Sequence, residues 1–69
     1  MTKKWEGYKI DKCNLCTESV DDYFVDGRIK GRSSWAIMCK QCSINYGVGL
    51  GIGLGQAYEK VGEDWIKIV

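Results

Sequence analysis

Cys13-Asn14-Leu15-Cys16 and Cys39-Lys40-Gln41-Cys42 are the stretches whose reading decides how this chain folds. Two residues between cysteines allow a tight turn that aims both sulfurs at one point. Backbone N–H groups in such a turn stabilise thiolate charge. Two turns of this kind facing each other give four sulfurs in a tetrahedron, the arrangement structural zinc prefers. The 22 residues between the pairs slightly exceed the usual spacer of about 15 to 20. An Asp26-Gly27 hairpin and its loop account for the excess. The pattern therefore predicts Cys13, Cys16, Cys39 and Cys42 as ligands of one structural Zn2+, in pairs at strand ends as in a zinc ribbon. Four thiolates leave no position for a catalytic water. Two disulfides, or iron in the same sulfur cage, are the alternatives.

The size of the chain explains why it needs a staple. Its 69 residues make one domain, spanning 1–69, with 45% hydrophobic residues. An apolar core in a chain this short supplies only about 3–5 kcal/mol. The N-terminus is charged and polar and carries no secretory pattern. The longest uncharged stretch, 43–58, is interrupted by Asn45, Gln56 and glycines, which makes it a poor membrane span. A reducing cytoplasm is the expected location, where paired cysteines more often hold metal than form disulfides. The formal charge is +1, and four thiolates with a divalent ion bring it to about −1. That balance lacks the strongly basic footprint of a non-specific nucleic-acid binder.

Outward from the cysteines, the fold class reads as small, metal-stabilised and mainly β, with zinc-ribbon-like hairpins and a glycine-rich extended segment. Residues 5–10 read as a short strand leading to Cys13. Tyr23-Phe24-Val25 are strong strand formers, and Asp26-Gly27 is a favoured hairpin turn, so 21–30 reads as a hairpin. Gly31-Arg32-Ser33-Ser34 reads as a loop, and Trp35-Ala36-Ile37-Met38 as a strand running into Cys39. A single helical turn over 43–46 is compatible with the sequence. A closing hairpin over 57–69 would turn at Val61-Gly62-Glu63-Asp64.

Gly47, Gly49, Gly51, Gly53 and Gly55 occupy every second position, with Val48, Leu50, Ile52 and Leu54 between them. No lysine followed by Ser or Thr comes after these glycines, which excludes a P-loop, and strict alternation breaks the dinucleotide fingerprint. As a strand, the run would have one aliphatic face and one bare face. Aromatic rings would lie flush on the bare face, with Trp5, Tyr8, Tyr23, Trp35 and Trp65 as candidates. Alternatively, the bare face receives a partner, with Gly49, Gly51 and Gly53 as contact positions. A turn-rich loop is the third reading. Arg28, Lys30 and Arg32 form a basic cluster that a tryptophan could extend into a base-stacking surface. Asp21, Asp22 and Asp26 nearby weaken its field.

Phe24-x-Asp26-Gly27, Trp35-Ala36-x-Met38-Cys39-x-x-Cys42 and the run from Tyr46 to Tyr58 resemble a group of small bacteriophage and prophage proteins. The similarity extends to Glu63-Asp64-Trp65-Ile66-Lys67. The resemblance implies a short phage protein with a zinc-ribbon-like core, acting in the host cytoplasm. Many transcription-factor zinc ribbons carry glycine just after each pair, where this chain has Thr17 and Ser43.

The chain has no histidine and no spaced acid pair or nucleophile. The expectation is a non-enzymatic zinc-binding module that engages a host or phage protein. The alternative is a nucleic-acid-binding zinc ribbon using Arg28, Lys30, Arg32 and the N-terminal lysines Lys3, Lys4, Lys9 and Lys12.

Overall fold

The strand-forming run Tyr23-Phe24-Val25 opens the strand that organises the sheet. The computed structural model describes residues 4–7 and 9–68. Its elements are β1 (Tyr23–Arg28), β2 (Trp35–Met38), α1 (Lys40–Tyr46), β3 (Gly55–Val61) and β4 (Asp64–Lys67). The strands make one antiparallel sheet in the order β2-β1-β3-β4, which puts β1 between β2 and β3.

Alternation along β1 divides the core between two faces. On one face Phe24 sits opposite Tyr58, with the rings stacked at 4.9 Å. Trp5 and Trp65 meet Phe24 edge-on, at 5.4 and 5.0 Å. Each such pair adds about 0.5–1.5 kcal/mol beyond the area it buries. On the other face Val25 lies opposite Met38 and Ala57, all buried. There α1 lies against β1 and β2.

Each sheet edge is paired over part of its length, which shortens the template for unwanted strand pairing. Lys4 bridges to Ile66, and the Trp5 N–H donates to the Trp65 carbonyl at 2.8 Å along β4. Asn14 pairs with β2, as described below. The Lys4–Asp64 ion pair at 3.8 Å is exposed on both sides and adds little.

The closing hairpin forms as expected over its described residues, with Gly62 in the left-handed region at φ 65°. Val69 lies outside the described residues. The Trp35–Met38 strand and the loop before it also form as read.

Three expectations are corrected. Asp26-Gly27 is no turn: both residues pair with β2 on one side and β3 on the other. Gly27 is needed because it faces Gly55, and a Cβ on it would sit 3.3 Å from the Gly55 Cα. Tertiary closeness thus overrides the turn signal, and burial in the strand pushes the Asp26 carboxyl up. Among the described residues of 5–10 there is no strand, only the Lys4 bridge before it.

The glycine run is not extended. Gly49, Gly51 and Gly53 have φ of 132°, 128° and 78°, and the backbone turns over 52–54. Gly51 and Gly55 exchange hydrogen bonds at 2.8 and 3.1 Å to close this loop. Alternation therefore has two causes. The three central glycines supply left-handed backbone, while Gly47 and Gly55 allow close approach of other backbone.

No flat bare face results, and the aromatic lid expected over it does not form. Trp5 meets Phe24 and Tyr58 edge-on, Trp65 meets Phe24 edge-on, and Trp35 is exposed. Leu54 instead lies over the loop, its Cδ1 4.0 Å from the Cβ positions of Gly49 and Gly51. Tyr8 is outside the described residues.

Candidate metal centre

Cys13 is tied to the chain around it by short-range backbone bonds. Its N–H donates to the Glu18 carbonyl at 2.9 Å, and its carbonyl accepts from the Thr17 N–H at 3.1 Å. A bridge between Lys12 and Ser19 closes the base of this loop. The first pair is thus a tight knuckle, as the two-residue spacing predicts.

Thr17 completes the knuckle with φ at 63°, the one described non-glycine residue at positive φ. This is the position where a glycine is usual, and the physical reason is now visible. A β-branched residue there costs about 1–2 kcal/mol. The Thr17 hydroxyl donates to the Cys16 carbonyl at 2.6 Å, which offsets part of that cost. Thr17→Gly is expected to raise stability by about 0.5–1 kcal/mol in urea denaturation of the metal-loaded protein, after the flexibility glycine adds to the unfolded chain. Unchanged or lower stability would show the local hydrogen bond to outweigh the backbone strain.

The second pair is built differently. Cys39 follows β2 and is the N-cap of α1, its sulfur accepting from the Cys42 N–H at 3.5 Å. Cys42 lies within the first turn of the helix. Ser43 stands where a ribbon's glycine would turn the chain back, and its N–H donates to the Cys39 carbonyl at 2.9 Å. The helix therefore continues to Tyr46 instead of opening a second hairpin. It starts earlier than the turn over 43–46 read from the sequence.

Asn14 joins the two halves. Its N–H donates to the Ile37 carbonyl at 2.8 Å, and its side-chain oxygen accepts from the Ile37 N–H at 2.8 Å. One residue thus pairs with the free edge of β2 as a neighbouring strand would, and docks the first knuckle two residues before Cys39. Nothing in the sequence marked Asn14, because only the fold shows that β2 is an edge. Asn14→Ala is expected to cost about 1–3 kcal/mol, since it strands the Ile37 N–H beside a buried side chain. Urea unfolding of the metal-loaded variant measures this, and a loss under about 0.5 kcal/mol would remove Asn14 from the site's support.

The result is a cage. All four sulfurs lie within 4.8 Å of one another, with Cys16 and Cys39 at 3.8 Å. A tetrahedral ion with metal–sulfur bonds of about 2.3 Å sets its sulfurs about 3.8 Å apart. The Cys16–Cys39 separation is far beyond the disulfide bond length of about 2.05 Å. Cys13 and Cys42 are buried, Cys39 is half-buried and Cys16 is exposed, so the cage is seated in the core and open at one corner.

Electrostatics also fit a cation. Burial pushes the Cys13 thiol up, but backbone N–H groups of Cys16, Cys39 and Leu15, with the Cys42 thiol, outweigh it and bring it down to about 6. Burial and the other three sulfurs push Cys42 strongly up. Four thiolates repel one another in this space, and a divalent ion reverses that repulsion.

The other residues singled out by sequence are dispersed. Lys30 and Arg32 line a cleft of about 500 Å3 with Leu15, Cys16, Cys42 and Tyr46. Arg28 is half-buried at the end of β1, with its Nε enclosed and without a hydrogen-bond partner. By alternation it faces the opposite side of the sheet. Gly49 lines a second cleft, of about 350 Å3, while Gly51 and Gly53 shape the loop beyond it.

Comparison with known protein families, with characterised proteins and with solved structures finds no match for this chain.

Proposed function

We propose that this chain is a non-enzymatic binding module built around a structural zinc ion, and that it works by engaging a protein. The metal reading rests on the convergence of four sulfurs from two distant pairs within 4.8 Å. An all-sulfur tetrahedral set suits zinc, and iron is the other metal it suits. With four thiolates around it the ion has no open position, so it braces the knuckle against the helix and activates no substrate.

Protein binding is supported by a net charge near zero, which is a poor match to a phosphate backbone. It is also supported by exposed apolar side chains at Leu15, Ile44, Tyr46 and Leu50 around the clefts beside α1. The sequence resemblance to small phage and prophage proteins favours an accessory role on a host or phage protein. Among the described residues no helix is long and apolar enough to cross a membrane.

Metal analysis of protein purified in reductant tests the first half. One zinc per chain is expected, replaceable by cobalt with the visible bands of a tetrahedral thiolate site. A folded chain without metal would refute it. Recovery from bacterial lysate tests the second half. Capture of nucleic acid alone, lost on nuclease treatment, would turn the reading to the nucleic-acid alternative.

A further inference from the structure

Lys30 belongs to both clefts beside α1, so the two meet at its side chain. The smaller lies between the helix and the start of the glycine loop. Lys40, Ile44, Val48 and Leu50 line it with Lys30. The larger adds Arg32, Leu15 and Tyr46. The cations are Lys30, Lys40 and Arg32; among the described residues no carboxylate lines either cleft, and the Cys16 and Cys42 sulfurs lie along the larger one. Elsewhere the chain has nine acidic residues against seven basic ones, so the excess of cations over carboxylates here is a local property of the surface.

The walls are fixed from below. The Lys30 N–H donates to the Tyr46 carbonyl at 2.7 Å, and the Val48 N–H donates to the Arg28 carbonyl at 3.0 Å. The groove is thus anchored to β1 at the C-terminal end of α1. At its other end α1 holds Cys39 and Cys42, so the metal centre and the groove share one short helix.

We infer that the groove formed by α1, Lys30 and the segment 47–50 binds an acidic segment of a partner protein, one that alternates carboxylates with aliphatic side chains. This deepens the protein-binding reading above and rests on it. Apolar side chains of the segment fill the space beside Ile44 and Leu50, and its carboxylates meet Lys30, Lys40 and Arg32. Charge complementarity sets orientation and arrival rate, and the apolar contacts supply affinity. A single-stranded nucleic acid fits less well, because it needs ring faces for its bases. In the smaller cleft Val25, Ile44, Val48 and Leu50 outnumber its single ring, Tyr23.

The test is selection of random 16-residue peptides on the zinc-loaded full chain, followed by titration of the recovered peptides against the 15N-labelled protein. Recovered sequences are expected to be rich in Asp and Glu interleaved with Leu, Ile or Val. Amide shifts should concentrate at Lys30, Lys40 and residues 43–50. The double variant Lys30→Glu/Lys40→Glu is expected to bind at least about tenfold more weakly, with unchanged zinc content and thermal unfolding. Both side chains are exposed, so the fold is not at stake.

Peptides without acidic bias, shifts elsewhere, no recovered peptide, or affinity unchanged in the double variant would each overturn the groove. So would tighter binding of a twelve-nucleotide single strand at the same amides. A lysate partner retained by the double variant would overturn the groove and leave the protein-binding reading standing. Recovery of neither a peptide nor a lysate partner by the unaltered chain would remove that reading as well.

Discussion

Stripping the metal with a strong chelator in reductant is expected to unfold this protein at 25 °C, and Cys13→Ser is expected to do the same. A core this small supplies about 3–5 kcal/mol, whereas structural zinc binding in small domains is worth about 10–16 kcal/mol at neutral pH. The metal term is therefore the larger one. Cys13 is 2% exposed and belongs to the buried core, so its loss removes a ligand and leaves a polar hydroxyl among apolar neighbours.

Cys16 offers the contrast. It is the exposed corner of the cage, so Cys16→Ser should weaken metal affinity while keeping a folded population at saturating zinc. Near-ultraviolet circular dichroism reports the outcome through Trp5 and Trp65, which are fixed only when the aromatic face is assembled. Persistence of that signal in chelator, with no metal bound, would sink the structural-zinc reading.

Acid should act in the same direction. The ion binds thiolates, so protons compete with it for the four sulfurs and the stability it supplies falls as pH drops.

The second large effect concerns Gly55. Gly55→Ala is expected to cost about 3 kcal/mol, the upper end of what overpacking does. Its Cβ would sit 2.7 Å from the Gly49 carbonyl oxygen and 3.2 Å from the Gly27 Cα, and both are backbone atoms in fixed structure. Neither can rotate away as a side chain would.

Gly53→Ala is the control two residues earlier. A Cβ there meets nothing within 4 Å, so only its φ of 78° resists substitution, at about 1 kcal/mol. Urea denaturation of the metal-loaded variants separates the two. Equal losses would mean that loop conformation alone, and not close approach across the sheet, explains the glycine run.

Read without a structure, the cysteine pairs already contained the centre of this fold. A two-residue spacing is a local constraint that brings both sulfurs of a pair to one side, in a knuckle at Cys13 and Cys16 and in a helical first turn at Cys39 and Cys42. The strand signals at Tyr23-Phe24-Val25, Trp35-Ala36-Ile37-Met38 and the closing hairpin were equally local, and each became a strand. What misled was any signal whose meaning depends on a distant neighbour. Asp26-Gly27 has the composition of a turn, yet Gly27 serves the approach of Gly55, 28 positions further along. The glycine run has the period of a strand, but that period merges left-handed backbone at Gly49, Gly51 and Gly53 with close contact at Gly47 and Gly55.

Amino-acid order by itself determined that four cysteines meet in a small β-rich domain. Tertiary structure alone decided that Cys39 and Cys42 open a helix, that Asn14 pairs with the edge of β2, and that Lys30, Lys40 and Arg32 line adjoining clefts. The reason is range. Turn spacing and strand preference act over a few residues, whereas edges, clefts and backbone clearances exist only after segments far apart in sequence have been brought together.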